Sequence, residues 1–241
     1  MDVPRISRIS DRAYQTGGYC SVNPGKVLLL HDSKPRRAAE NMARDEALLR
    51  LGRVGHPILR TYSWSEPAVS LGYFTAFAEA RKLYPDPVLV RRWTGGGLVE
   101  HFHDWTYSVI FPIPVPALNN SALYASIHGA LVSALCSSGI QAELVPNPDP
   151  TPNAACFARA VRFDVRFAGQ KIAGAAIRRH RTGVLLQGSV QHISVQPGFG
   201  QLLAEIWFGA VESYVPPEEV TVLTDELIRT RYATIEWTER F

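Results

Sequence analysis

Three consecutive glycines, Gly95, Gly96 and Gly97, constrain the fold of this chain more than any other feature of its sequence. They lie between residues 87–90 and 105–111, two apolar segments rich in β-branched or aromatic residues, which predicts a strand on each side. Glycine costs conformational entropy and contributes no side chain, so three in a row indicate positive φ or a close approach to another group. The run is therefore expected to be a loop that packs closely against something.

An arginine pair, Arg91 and Arg92, stands just before the glycines. Guanidinium groups combined with exposed backbone N–H groups favour anions, so the run predicts a site for a phosphate or a carboxylate. A glycine-rich hairpin with solvated arginines is an equally good interpretation when the run is taken alone.

Composition excludes several classes of protein. With 241 residues, of which 46% are hydrophobic, the chain can form a sizeable core as one domain or as two closely packed lobes. The formal net charge of +3 is too small to indicate nucleic-acid binding, and no segment is available for a helix-turn-helix.

The cysteines and the apolar segments indicate a cytoplasmic location. Cys20, Cys136 and Cys156 are odd in number and have no close spacing, so neither a disulfide framework nor a metal site is expected. No stretch approaches the roughly 18 apolar residues of a membrane span, and the first residues lack a signal-peptide pattern. We expect a soluble protein that does not associate with membranes.

Periodicity predicts an α+β fold in which a mixed or antiparallel sheet is flanked by helices. The predicted helices are 36–51, 77–84, 119–138, 199–208 and 217–231. The predicted strands are 26–30, 57–62, 68–74, 87–90, 105–111, 161–168, 171–178 and 184–195.

A hairpin is predicted in the second half of the chain. Alternation over 161–168 indicates a half-buried strand with Asp164 on its polar face, and Gly169-Gln170 is a turn. On the returning strand, Gly174-Ala175-Ala176 leaves one face nearly bare. The cluster at 178–181 is either a solvated hairpin tip or a docking surface for an acidic partner.

Taken together, these motifs resemble the catalytic domain shared by lipoate-protein ligases, octanoyltransferases and biotin-protein ligases. The pattern consists of Arg-Arg-x-Thr-Gly-Gly-Gly from Arg91, a histidine at 101, Asp-Trp-Thr-Tyr-Ser from 104, and Gly-Gln-Lys-Ile-Ala-Gly-Ala-Ala from 169. The resemblance covers roughly residues 36–240. It implies a single catalytic domain over 1–241, with no C-terminal accessory domain evident.

The resemblance also implies site residues. Lys171 matches the family's lysine that contacts the acyl carbonyl and the leaving phosphate, and a cation held on a rigid hairpin is suited to stabilise charge on a carbonyl oxygen. The remaining residues are expected to bind the acyl chain or the acyl-adenylate: Arg91, Gly95, Gly96, Gly97, Leu98, Val99, His101 and Gly174.

Cys156 lies 171 − 156 = 15 residues before the lysine, and in this place it resembles the nucleophile of the cysteine-dependent octanoyltransferases. In that case the thiol accepts octanoate from acyl carrier protein and passes it to a lysine of a lipoyl domain, without a cofactor. Gly97 instead matches the ATP- and Mg²⁺-dependent lipoate-protein ligases, which use free lipoate or octanoate, whereas the transferases usually carry arginine there. A non-catalytic acyl-binding or carrier-docking protein is the third alternative.

Overall fold

The computed structural model describes residues 25–51, 55–113, 119–148 and 160–241. Within these ranges the chain forms two sheets and six α-helices. The strands are β1 (Lys26–His31), β2 (Ile58–Tyr62), β3 (Ala68–Leu71), β4 (Val88–Arg91), β5 (Leu98–His101), β6 (Trp105–Pro112), β7 (Glu143–Leu144), β8 (Val165–Phe167), β9 (Gln170–His180), β10 (Gly183–Val190) and β11 (Ala210–Ser213). The helices are α1 (Ala38–Leu51), α2 (Phe77–Leu83), α3 (Asn120–Ser137), α4 (Phe199–Phe208), α5 (Glu218–Leu227) and α6 (Ile235–Thr238).

The large sheet has eight strands in the order β11-β1-β2-β6-β10-β9-β8-β7. β1 pairs in parallel with both β2 and β11, whereas the pairs from β2 through β6, β10, β9 and β8 to β7 are antiparallel. The prediction of a mixed sheet flanked by helices is therefore confirmed.

Helices cover both faces of this sheet, which explains why the whole of β10 is buried instead of alternating. On one face, α3 and α4 enclose a core that includes Tyr107, Ile127 and Leu203. On the other face, α1 and α5 enclose a second core that includes Leu48 and Ile110. The helix boundaries follow local signals: the Asn119 side chain accepts a hydrogen bond from the Ala122 amide at the start of α3.

The small sheet, in the order β4-β3-β5, holds the glycine loop. β4 leads into the loop and β5 leaves it, and both pair with β3. The glycines lie in a loop as expected, and residues 98–101, for which no strand was predicted, pair with β3 as β5. The loop is thereby fixed at both ends.

Other boundaries also differ from the sequence-based expectation. The strand predicted over 161–168 is formed only by β8, since Phe163 has φ = 70° and interrupts the alternation. The strand predicted to reach 195 ends at Val190, and the final long helix changes to a π-helical turn at Ile228–Tyr232. β11 was not predicted, because Ala210–Ser213 is short and mostly exposed.

In the described part of the chain, no helix has the length and apolar character needed to cross a bilayer.

Candidate active site

A cavity of about 170 Å³ lies between the glycine loop with its small sheet and the centre of the large sheet. Its roof is formed by residues of the loop and of β3 and β5, and its floor by β9, β10 and β6. The lining residues are Met42, Tyr62, Ser70, Arg92, Gly96, Gly97, Leu98, Val99, His101, Thr106, Tyr124, Val161, Lys171, Gly174, Ala175, Ala176, Gln187, Gly188 and Ser189.

Lys171 lines the cavity from the start of β9, where its ammonium is held by a buried carboxylate. Its Nζ lies 2.9 Å from Oδ2 of Asp164, whose side chain is fully buried, while the lysine side chain is 10% exposed. Removing either member of such a pair leaves an uncompensated buried charge, so the pair is strongly maintained once formed. The ammonium is therefore fixed in position.

Asp164 is itself held by three donors. Besides Lys171, the Val161 amide donates to Oδ2 at 2.7 Å and the Tyr124 hydroxyl donates to Oδ1. The Tyr124 oxygen in turn accepts the Ala175 amide at 3.0 Å, which connects this group to β9. Burial, followed by the charge of Asp164, raises the pKa of Tyr124 well above its ordinary value, so the hydroxyl remains a donor.

Gly174 leaves the space that the lysine side chain occupies. A Cβ at this position would lie 3.0 Å from Cε of Lys171, 3.1 Å from its Nζ and 3.2 Å from Oδ1 of Asp164. The backbone of Gly174 is not in the left-handed region, so the position is restricted by space and not by φ. The bare face predicted for this strand thus lies under the ammonium.

The glycine loop crosses very close to the end of β3. Gly96 has φ = 84°, and a side chain at Gly72 would overlap the Gly96 carbonyl. Gly72 donates its amide to the Gly97 carbonyl at 3.0 Å, and the Nη2 of Arg92 donates to the Gly95 and Gly97 carbonyls at 2.8 and 2.7 Å. The close approach expected for three glycines is present, and its partner is the protein's own backbone.

Arg91 lies away from the cavity. Its side chain is fully buried. The guanidinium donates to backbone carbonyl oxygens of two segments, one that follows β3 and one near the C-terminus: Gly72, Tyr73, Thr75, Trp237 and Thr238. The guanidinium therefore connects the C-terminal turn to the β3 end. The sequence-based expectation that Arg91 lines the acyl site differs from this placement, and Arg92 occupies the cavity wall instead.

His101 stands at the other side of the cavity within a buried polar group. Its Nδ1 donates to Oδ2 of Asp104 at 2.8 Å, its Nε2 lies 2.8 Å from Oγ of Ser70, and Trp64 stacks on the ring at 3.9 Å. Burial would raise the pKa of Asp104, but the electrostatic attraction of His101 and the hydrogen bonds from His101, Ser189 and Thr106 outweigh it and lower that pKa. His101 is thus held on both ring nitrogens.

A second buried network supports the loop from below. Gln187 accepts from Oγ1 of Thr94 at 2.7 Å and donates to Oδ2 of Asp45 at 2.8 Å. Asp45 is also paired with Arg60 at 2.6 Å and accepts from Ser108 at 2.8 Å. The polar groups of this network bind one another, so they fix the loop to β10.

The structure brings seven of the predicted site residues together around the cavity: Gly96, Gly97, Leu98, Val99, His101, Lys171 and Gly174. Arg91 and Gly95 do not line it, and Cys156 lies outside the described residues. Sequence reasoning did not assign Asp164, Tyr124 or Asp104 to the site, and it named Arg92 only as part of a candidate anion site. Asp164 had one available signal, since it immediately precedes β8, which pairs with the start of β9 near Lys171.

This arrangement is suited to an aliphatic acyl group. The floor at Gly174, Ala175 and Ala176 is apolar, and Lys171 offers a compact cation at one side for a carbonyl or carboxylate oxygen. Over the four described ranges, no cluster of three or more His, Cys, Asp or Glu side chains is arranged to hold a metal ion.

Solved structures share this fold. The protein with bound lipoic acid described as a putative lipoate protein ligase from T. acidophilum superposes with a TM-score of 0.70 at 22% identity, covering 90% of this chain and 99% of that chain. A lipoate-protein ligase A bound with ATP also gives a TM-score of 0.70 at 22% identity, covering 89% and 98%. The fold is thus that of the lipoate-protein ligases.

The family follows from the sequence match. The model of the lipoyl protein ligase A/B catalytic domain matches residues 37–236, so this chain belongs to that family. Among curated relatives, octanoyltransferase LipM of Carboxydothermus hydrogenoformans is 36% identical over 163 residues, covering 63% of this chain and 60% of the relative. LipM of Macrococcus caseolyticus is 37% identical, covering 66% and 64%. The matched part is less than two thirds of the length of these relatives.

Proposed function

We propose that this protein transfers an octanoyl group from acyl carrier protein to a lysine of a lipoyl domain, through a thioester on Cys156. The observation that carries the proposal is the Lys171 ammonium, fixed by Asp164 beside an apolar cavity. The similarity to proteins named octanoyltransferase supports the choice of acyl group and reaction.

The cavity has dimensions that suit an octanoyl chain. Gly174 on β9 pairs with Ser189 on β10, which pairs with Thr106 on β6, so the floor crosses three neighbouring strands. At about 4.8 Å between strands this distance is about 10 Å, comparable to an extended eight-carbon chain. Burying seven aliphatic carbons contributes about 6 kcal/mol at roughly 0.8 kcal/mol for each group.

In the first step, the Cys156 thiolate attacks the carbonyl carbon of the carrier thioester. The carbonyl oxygen gains negative charge and is stabilised by the Lys171 ammonium. The intermediate collapses as the bond to the carrier sulfur breaks. The carrier leaves as a thiolate that takes a proton from solvent, and octanoyl remains on Cys156.

In the second step, the neutral amine of the acceptor lysine attacks the Cys156 thioester. The same ammonium stabilises the second oxyanion, the bond to the cysteine sulfur breaks, and an amide forms. The nitrogen loses one proton, which neutralises the departing thiolate or enters solvent. The free cysteine is restored and no cofactor is consumed.

An ATP- and Mg²⁺-dependent lipoate-protein ligase is the second candidate, favoured by Gly97. Under that mechanism Lys171 would hold an oxygen of the acyl phosphate, and ATP would supply the leaving group that activates lipoate. The arginine pair fits this chemistry poorly, because the Arg91 guanidinium is used on backbone carbonyls and Arg92 binds the loop's own carbonyls.

Intact-mass analysis tests the two reactions directly. The protein is incubated with octanoyl-carrier protein, or with lipoate, ATP and Mg²⁺, each with and without a lipoyl domain. The proposal expects an octanoyl adduct on the enzyme without ATP, followed by octanoylation of the lipoyl domain. The adduct should be lost in Cys156→Ala and retained in Cys136→Ala, which alters the thiol on α3. Modification of the lipoyl domain only with ATP would establish the ligase instead, and bound acyl group without transfer would establish a binding protein.

A further inference from the structure

A group of arginines and aromatic rings lies beside the glycine loop and is not used by the proposed chemistry. We name it the basic aromatic surface. It comprises Arg50, Tyr73, Phe74, Arg178, Arg181, Arg240 and Phe241. Phe74 is 76% exposed and Phe241 is 46% exposed, so this surface presents apolar area as well as charge.

The arginines share a connected set of rings. The Arg178 guanidinium lies 5.0 Å from the Tyr73 ring centroid and 4.5 Å from that of Trp93, and Arg240 lies 5.2 Å from Tyr73 and 5.3 Å from Phe241. Stacking on rings holds a guanidinium in place while leaving its donors available. The charges are thereby presented in a fixed arrangement.

The surface has more positive than negative charge. Arg50 pairs with Glu46, which also pairs with Arg231, so one carboxylate is shared by two guanidinium groups. In the described part of the chain, Arg178, Arg181 and Arg240 form no ion pair with a carboxylate. Glu236 and Glu239 are exposed on the same C-terminal turn and reduce the net charge without pairing with these arginines.

The pKa of His180, at the end of β9, is affected by the positive charges of this surface. Burial, then the charges of Arg181, Arg50 and Arg178, lower its pKa, and Glu46 opposes them only in part. Beyond the effect of burial, these arginines therefore disfavour a positive charge at His180.

The basic aromatic surface adjoins the cavity. The Nη1 of Arg178 donates to the Trp93 carbonyl at 3.0 Å, just before the glycine loop. Arg178 also follows Ala176, a cavity-lining residue, by two positions on β9, so both side chains lie on one face of the sheet. A partner bound here would contact the outer side of the loop.

We propose that the basic aromatic surface docks the acidic carrier protein that delivers the acyl thioester. This rests on the proposed function. The partner is acidic because the surface is positive, and its arm must be long because Arg178 lies 178 − 171 = 7 residues along β9 from Lys171, about 23 Å at 3.3 Å per residue.

The distance between Arg178 and Lys171 implies different docking positions for the acyl donor and for the acceptor domain. A lysine has only a four-carbon stem, so an acceptor domain must sit over the Lys171 side of the cavity to bring its amine to the thioester. A carrier protein holds its acyl group on a long flexible arm and can dock a strand length away. Donor and acceptor then occupy different parts of the surface.

The test compares a carrier-bound donor with a small donor. Arg181→Glu/Arg240→Glu reverses two exposed charges of the surface, and Lys34→Glu/Arg37→Glu is the matched control near the opposite end of α1 from Arg50, about 20 Å away at 1.5 Å per residue. We expect kcat/KM for octanoyl-carrier protein to fall at least about 10-fold at low salt in the first variant, and the difference to shrink at high salt. With octanoyl-pantetheine both variants should match the unmodified protein.

Three results would overturn the docking proposal: unchanged kcat/KM with the carrier, equal loss with both donors, or a loss confined to the lipoyl-domain acceptor. If the unmodified protein accepts octanoyl from neither donor, the proposed function fails. Docking is then read from titration with octanoyl-carrier protein alone. Binding weakened by Arg181→Glu/Arg240→Glu and not by the control supports the surface, and absence of binding rejects it.

Discussion

Replacing Gly174 by alanine is expected to displace the Lys171 ammonium while leaving the stability of the fold almost unchanged. The new Cβ would lie 3.0 to 3.2 Å from Cε and Nζ of Lys171 and from Oδ1 of Asp164. Ordinary van der Waals contact begins at 3.4 Å, so the flexible lysine end must move by several tenths of an ångström. The fixed partner is the buried carboxylate, so the lysine is displaced.

The expected cost falls on catalysis. A misplacement of about 1 Å can reduce a rate by about 10²-fold, so a shift of a few tenths of an ångström is expected to reduce transfer by roughly 3- to 10-fold. Stability should change by less than about 1 kcal/mol, because alanine is favoured over glycine within a strand by 0.5–1 kcal/mol and this offsets the crowding.

The assay is the single-turnover rate of octanoyl transfer to a lipoyl domain, with urea unfolding measured on the same samples. Gly95→Ala is the control, since no atom lies within 4 Å of a Cβ there. Full activity of Gly174→Ala would show that the placement of the ammonium does not limit the reaction. Equal losses in both variants would show a general sensitivity of the fold.

Three further outcomes follow from the buried groups. Arg91→Ala should destabilise the protein by about 3 kcal/mol or more, because several carbonyls lose a charged donor; a normal urea midpoint would contradict this structural role. Gly96→Ala should cost about 1–3 kcal/mol, since φ is 84° and its Cβ would lie 2.9 Å from Nη2 of Arg92; an unchanged thermal midpoint would refute it. Burial lowers the pKa of His128 from 6.5 to about 4, so the unfolded chain binds the proton first. The resulting stability is present above pH 6.5 and is lost as pH falls toward 4, by up to about 3 kcal/mol. His128→Gln should remove this part of the pH dependence of the urea midpoint.

The local sequence pattern was sufficient to predict most of the helices and strands and part of the site. The helices α1, α3 and α4 lie close to their predicted ranges, and the glycine loop and Lys171 stand in recognisable sequence contexts. These features depend on neighbours a few residues away, so a single sequence contains the information needed to predict them.

The burial of Asp164 against Lys171 could not be predicted from the local sequence pattern. Alternation placed it on the polar face of a strand, but the left-handed backbone at Phe163 interrupts the strand and leaves the carboxylate fully buried against Lys171. The sequence likewise does not distinguish the roles of Arg91 and Arg92, the two arginines before the glycines. Chain crossings assign Arg91 to the C-terminal turn and Arg92 to the loop and cavity wall.

The sequence by itself determined most strands of the large sheet, the position of the glycine loop and, through the family resemblance, the lysine expected to act on a carbonyl. Only the tertiary structure decided which carboxylate holds that lysine, which arginine lines the cavity and why Gly174 must lack a side chain. The physical reason is that hydrogen bonding and steric exclusion act between atoms brought together by folding, whereas periodicity records only which face of an element is apolar.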